Sequence, residues 1–268
     1  MAYVAPGLPS SRLKCLIEEL ESLIEKVAEK FNLYYKGKPR KAFILDALLR
    51  YECTGCLLKA LTSPQTYSID SVYIENHKLA LSLLYDYLKN RLNTYGVKVV
   101  VEEEASGNYG RVDVILKLTS RSLLLNLPGI HVIIEVKCGR SLKYSQLLRY
   151  FLLDENVVMI VVWRVALKQI IVFERTRINN LLLFVTELAI KKARAILEGN
   201  AISCEHRRPS TTSVLENPQD LINAVMEGLS DLPAVVDALV QSARMLLNHG
   251  YLNCQSTFGE GNVDVRKT

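Results

Sequence analysis

From Ser11 onward the apolar residues Leu13, Leu16, Ile17, Leu20, Leu23, Ile24, Val27 and Phe31 return at steps of three and four, with Glu and Lys between them. That spacing lines them along one face and predicts an amphipathic helix. Lys36-Gly37-Lys38-Pro39 breaks it, and a second helical pattern through Phe43, Ile44, Ala47, Leu48 and Tyr51 runs within Arg40 to Leu61. Ser63-Pro64-Gln65 reads as a turn closing this helical preface. A third helix is predicted over Val72 to Leu92, with Leu79, Leu83, Leu84, Tyr87 and Leu88 as its buried stripe and Gly96 as its stop.

The apolar period then shortens to that of a strand. Val97 to Glu103, Arg111 to Leu118, His131 to Cys138, Val157 to Trp163 and Gln169 to Glu174 are rich in Val and Ile and read as strands, with a helix over Tyr144 to Leu153 between the third and the fourth. Helix, three strands, helix, two strands is the order of an α/β (α+β) protein with a mixed central sheet flanked by helices. The chain returns to helix at Ile178 to Glu198, passes a polar linker over Cys204 to Pro218, and holds one or two more helices in Leu221 to Asn248, interrupted near Leu232-Pro233. The expected organisation is an N-terminal helical region over 1–68, a core over 69–177, a C-terminal helical region over 178–254 and a disordered tail over 255–268.

Three ionisable residues interrupt strands that would otherwise bury well. Asp113 stands between Val112 and Val114, and Glu135 and Lys137 alternate with Ile134, Val136 and Cys138. Alternation sends Glu135 and Lys137 to one face of their strand and Ile134 and Val136 to the other. Burying an unpaired carboxylate is costly, so something must compensate these charges. A hard divalent cation such as Mg²⁺ meets that need. The carboxylates of Asp113 and Glu135 with the carbonyl of Val136 form an oxygen ligand set that water and a substrate phosphate complete.

Such an ion polarises a scissile phosphate and acidifies water. Lys137 is then suited to position or activate the attacking water and to stabilise charge on the phosphoryl oxygens. Gln146 and Tyr150, four residues apart, share a helix face from which both could reach the substrate. Lys143, one turn earlier, and Arg111, ahead of Asp113, are candidate phosphate contacts. The competing reading of Asp113, Glu135 and Lys137 is a structural ion pair at a strand edge, and that of Gln146 and Tyr150 a solvated helix face. The strand, strand, helix order favours the metal site.

In Asp113, Glu135-x-Lys137 and Gln146-x-x-x-Tyr150 the chain resembles the PD-(D/E)XK nuclease superfamily, and the last element is similar to that of its RecB-type branch, which includes CRISPR-associated exonucleases. The resemblance covers about Val72 to Glu174. It implies a restriction-endonuclease-like core with helices on both sides of the sheet, dependence on Mg²⁺ or Mn²⁺, and hydrolysis of DNA phosphodiesters. Members usually carry a further Glu or His on the helix before the first strand; Glu75 and His77 stand there, and Glu75 is the favoured additional metal ligand. Val112 replaces the Pro of the family name, and 21 residues lie between Asp113 and Glu135, which asks for a loop through Arg121 to Gly129. The expected activity is a divalent-metal-dependent deoxyribonuclease. Alternatives on the same fold are a catalytically inactive nucleic-acid-binding or assembly protein and a structure-selective endonuclease of the Holliday-junction resolvase type, acting as a homodimer.

Composition narrows these readings little. The chain has 268 residues, 49% hydrophobic and 23% charged, with 33 Lys and Arg against 28 Asp and Glu, a formal +5 that permits a DNA partner without demanding one. The opening residues have no secretory pattern and no apolar run is long enough to span a bilayer, so the expectation is a cytoplasmic protein with no membrane partner. Six dispersed cysteines do not form a secreted disulfide framework. Their one close pair, Cys53-Thr54-Gly55-Cys56, lacks the C-terminal Cys triplet of the iron-sulfur members of the RecB-type branch, and neither a cluster nor Zn²⁺ is expected. Asn32 to Lys41 mixes two tyrosines with four positive charges, a composition suited to phosphates and unstacked bases, or simply to a solvated turn.

Overall fold

The structure is a computed structural model, described over residues 11–63, 71–92, 98–103, 106–107, 110–119, 130–138 and 142–200, with Asn223, Glu227, Gly228, Pro233, Ala234 and Asp237. The expected turn at Pro64-Gln65, the loop through Arg121 to Gly129, the Cys204 to Pro218 linker and the tail lie outside the described residues, as does most of Leu221 to Asn248.

Helix α1 (Ser11–Lys30) forms as its spacing dictates, with Leu13, Leu20, Leu23, Ile24, Val27 and Ala28 buried along one stripe. The break after it is more ordered than a plain turn. Strands β1 (Tyr34–Tyr35) and β2 (Lys38–Pro39) pair as a small antiparallel hairpin, turned at Lys36 and Gly37, both at positive φ. Two consecutive positive φ values give the turn whose twist matches paired strands.

The second helical pattern divides into α2 (Lys41–Arg50) and α3 (Thr54–Thr62). Tyr51 is extended and ends α2, and the Cys53 thiol caps α3 by accepting the Cys56 N–H at 3.2 Å. Cysteine is not among the usual capping residues, so the pattern of apolar positions runs through this boundary unmarked.

Helix α4 (Ser71–Leu92) is followed by β3 (Lys98–Glu103), a short ribbon of β4 (Ser106–Gly107) with β5 (Gly110–Arg111), and then β6 (Val114–Thr119) and β7 (Ile130–Lys137). Helix α5 (Tyr144–Leu153) crosses to β8 (Val157–Arg164), and a 3-10 turn at Val165–Leu167 leads to β9 (Gln169–Glu174) and α6 (Arg175–Leu197). The main sheet has five strands in the order β3-β6-β7-β8-β9, with β7 and β8 parallel and the other neighbours antiparallel. This is the mixed α/β arrangement that the element order predicts. Val157 to Trp163 is buried at every position, as a central strand covered on both faces must be.

Register sorts the two faces. Ile115, Ile133, Ile160 and Val162 are cross-strand neighbours on one face, and they join one hydrophobic cluster with residues of α1, α2, α3, α5 and α6. Val114, Leu116, Val132 and Ile134 are buried on the other, toward α4, which packs on β3 and β7. The buried stripe of α4 is Asn76, Ala80, Leu81, Leu84 and Leu88, while Leu79 and Leu83, expected inside, are about two-fifths exposed. The helix is turned from the expected orientation, so that the face of Ala80 and Leu84, not that of Leu79 and Leu83, is buried.

Near the C-terminus, Glu227 pairs with Lys168 and Asp237 with Arg91, each at 3.2 Å. Gly228 lies so close to Val165 that a Cβ would stand 1.9 Å from the Val165 carbonyl oxygen. Among the described residues no helix is long and apolar enough to cross a membrane.

Candidate active site

Because β6 and β7 are antiparallel, the start of β6 and the end of β7 lie at one end of the sheet. Asp113 immediately precedes β6 and Glu135 and Lys137 close β7, so residues 22 and 24 positions apart in the chain meet there. The expected continuous strand from Arg111 is interrupted at Val112 and Asp113. There Asp113 Oδ2 accepts the Val136 N–H at 2.8 Å, taking the place of a backbone carbonyl at the end of the ladder. The N–H and C=O of one strand residue point to the same side, so the Val136 carbonyl faces the same gap.

Helix α5 delivers the rest. Gln146 and Tyr150 share its sheet-facing side, and the Gln146 Nε2 donates to Tyr150 Oη and to Glu135 Oε1, each at 2.6 Å. The Tyr150 hydroxyl donates to Glu135 Oε2 at 2.9 Å. The Lys137 ammonium donates to Glu135 Oε1 and, at 3.3 Å, to Gln146 Oε1. Glu135 is thus held by an ammonium, an amide and a phenol from two elements, and only 2% of its surface is exposed.

The charges in this cluster do not balance internally. Burial, together with the neighbouring negative charge of Asp113, raises the Glu135 carboxyl above its ordinary value, although Lys137 and the Tyr150 hydroxyl pull the other way. Burial and the charge of Glu135 likewise raise the Tyr150 phenol, keeping it a neutral donor. The Cys138 thiol is pushed up to about 12 by burial and by Asp113 and stays a packed, protonated thiol.

Two buried carboxylates face one ammonium, and Asp113 Oδ1 makes no hydrogen bond among the described residues. Asp113, Glu135 and the Val136 carbonyl therefore fit a hard cation that takes its remaining ligands from water or phosphate. No group of three or more His, Cys, Asp or Glu side chains gathers as a metal cage among the described residues, and the fit rests on this smaller oxygen set.

One contact differs from the expectation for α4. His77 Nε2 lies 3.3 Å from Asp113 Oδ2, whereas Glu75 is exposed. The buried stripe explains the choice: His77 stands one turn before buried Leu81, whereas Glu75 stands one turn before Leu79, which is exposed. Lys143, at the N-terminal edge of α5, is exposed and makes none of the site's contacts. The side chain of Arg111 lies outside the described residues.

Sequence reasoning missed Arg149. It is largely buried between α5 and α2, its guanidinium 3.9 Å from Asp46 and 5.3 Å from the Tyr150 ring centroid. Its place one turn after Gln146 was the one signal that could have found it. Cys15, Cys53 and Cys138 are free thiols, Cys56 donates its backbone N–H to the Cys53 sulfur, and Cys204 and Cys254 lie outside the described residues. No protein-family model, curated protein or solved structure matches the chain.

Proposed function

We propose that the chain is a divalent-metal-dependent nuclease that hydrolyses DNA phosphodiester bonds on a restriction-endonuclease-like core. The observation that carries this reading is the convergence of Asp113, Glu135 and Lys137 at one sheet end, with Gln146 and Tyr150 bonded to Glu135 from the crossover helix. A purely structural ion pair needs one carboxylate for Lys137; this site buries two.

Asp113, Glu135 and the Val136 carbonyl would hold Mg²⁺ or Mn²⁺, with His77 steadying Asp113. When bound, the ion would supply charge neutralisation at the scissile phosphate and acidify water. Lys137, on the partly exposed side of Glu135, orients the attacking water and donates to the phosphoryl oxygens as negative charge develops. Tyr150 and Gln146 keep Glu135 in one rotamer, so its oxygens are already aimed when substrate arrives.

The test is cleavage of labelled single-stranded, duplex and branched DNA with Mg²⁺ or Mn²⁺, comparing wild type with Glu135→Ala and Lys137→Ala. The expected result is cleavage that EDTA stops, lost in Glu135→Ala and reduced by about 10²–10⁴-fold in Lys137→Ala. Both variants should show the wild-type circular dichroism spectrum. Binding without cleavage on every substrate and metal would replace this reading with that of a non-catalytic nucleic-acid-binding protein.

A further inference from the structure

The β1–β2 hairpin has no part in the sheet-end site, yet it gathers features that packing does not explain. Tyr35 keeps 67% of its surface exposed and Tyr34 keeps 43%. Tyr35 is paired across the hairpin with Lys38, and the Lys36 ammonium stands 5.4 Å from the Tyr35 ring centroid. The exposed Tyr35 ring thus has one ammonium against it and a second lysine as its cross-strand neighbour.

The tip geometry sharpens the point. Lys36 has φ 49°, left-handed backbone that a lysine seldom adopts, and it stands in the turn of the hairpin beside Gly37. Lys41 is paired with Glu25 at 3.0 Å, but among the described residues no carboxylate lies within ion-pair distance of Lys36, Lys38 or Arg40. Residues 32 to 41 contain no Asp or Glu. An exposed ring beside uncompensated cations matches the surface on which an unpaired base stacks while its phosphates are neutralised.

The hairpin is also tied to the candidate site. Helix α2 begins two residues after β2, and its Asp46 accepts the Ser145 hydroxyl at 2.8 Å, next to Gln146 on α5. Counting helix rise and extended chain, the tip is no more than about 25 Å from Asp46, a span of about seven stacked nucleotides.

We infer that the β1–β2 hairpin binds single-stranded DNA, stacking a base on Tyr35 and placing Lys36 and Lys38 on the flanking phosphates, so that an unpaired strand is held beside the sheet-end site. The choice of DNA rests on the nuclease reading; the stacking surface does not.

The experiment is fluorescence-anisotropy binding of a fluorescein-labelled oligothymidylate and of a blunt duplex in EDTA, where nothing is cleaved, to wild type, Tyr35→Ala, Tyr35→Phe and the Lys36→Ala/Lys38→Ala pair. The result expected is about tenfold weaker oligothymidylate binding for Tyr35→Ala, near wild-type binding for Tyr35→Phe, and little change on the duplex. The lysine pair should flatten the dependence of log affinity on log salt by about 0.7 for each phosphate that is no longer neutralised. Unchanged affinity in Tyr35→Ala, no oligothymidylate binding by wild type, or wild-type binding to phosphatidylserine vesicles in place of DNA would each overturn the inference. None of these variants alters Asp113, Glu135 or Lys137, so the two readings fail separately. A wild type that binds through Tyr35 but never cleaves leaves the hairpin standing and removes the nuclease, and the converse pattern removes only the hairpin.

Discussion

At the residue scale, the network around Glu135 makes Tyr150 a positioning group with a measurable effect. Its hydroxyl donates to Glu135 Oε2 and accepts from Gln146 in a buried place where water cannot substitute. Tyr150→Phe keeps the ring and removes one donor. The expected outcome is about 10–100-fold weaker response of cleavage to Mg²⁺ or Mn²⁺, with a stability loss of about 1 kcal/mol. Titrating the cleavage rate with metal checks it; a wild-type metal curve for Tyr150→Phe would mean the hydroxyl serves only packing. Asp113, Glu135 and Lys137 were legible in the sequence because each is charged between apolar neighbours, and Gln146 and Tyr150 because their four-residue spacing puts them on one helix face. His77 was legible only as one of two candidates.

At the element scale, the joints between α5, β7 and β8 are made by buried polar groups. Arg175, fully buried, donates from Nη2 to the carbonyls of Phe151 and Asp154 and from Nε to that of Val157 at 2.8 Å, closing the end of α5. The Asp154 carboxylate lies 2.6 Å from His131 Nδ1 on β7 and accepts the Asn156 N–H at 2.9 Å. Burial raises the Asp154 carboxyl, but the hydrogen bonds from His131 and Asn156 outweigh it and leave the group below its ordinary value. A depressed carboxylate contributes stability that is present above its unfolded pKa of about 3.9 and is lost as pH falls through the folded value. Asp154→Asn should therefore cost about 1.5–3 kcal/mol at neutral pH, and the gap from wild type should close below about pH 3.9. Urea unfolding at several pH values reads this directly, and a gap that persists at the acid end would assign the effect to packing.

At the scale of the molecule, the N-terminal helices are part of the same core as the sheet. Ile24 of α1 is fully buried in the cluster that contains Ile133, Phe151 and Ile196, and the α2 hydrogen bond to α5 links those helices to the candidate site. Ile24→Ala, more than 100 residues from Glu135 in sequence, should cost about 2–5 kcal/mol. The expected melting curve keeps a single transition at lower temperature, followed both by circular dichroism and by loss of metal-dependent cleavage. Two separated transitions, with cleavage surviving the first, would show that the helices fold apart from the sheet.

The types of the longer elements, and the charged residues that stand out in apolar strands, were legible in the sequence itself. Apolar spacing distinguishes helix from strand locally, and charged residues inside apolar strands stand out wherever the chain folds. Tertiary structure alone decided how these pieces meet. The rotation of α4 is set by how Ala80, Leu84 and Leu88 meet the sheet, and that rotation brings His77 rather than Glu75 to Asp113. The break before β6 exists because a carboxylate from one strand takes an N–H from the next, a bond between residues 23 positions apart that no local pattern records. The division of α2 from α3 and the hairpin at Lys36 are local but still escape the pattern, because they depend on a thiol cap and a left-handed turn, whose energies come from single hydrogen bonds and backbone angles rather than from the burial that apolar periodicity reports.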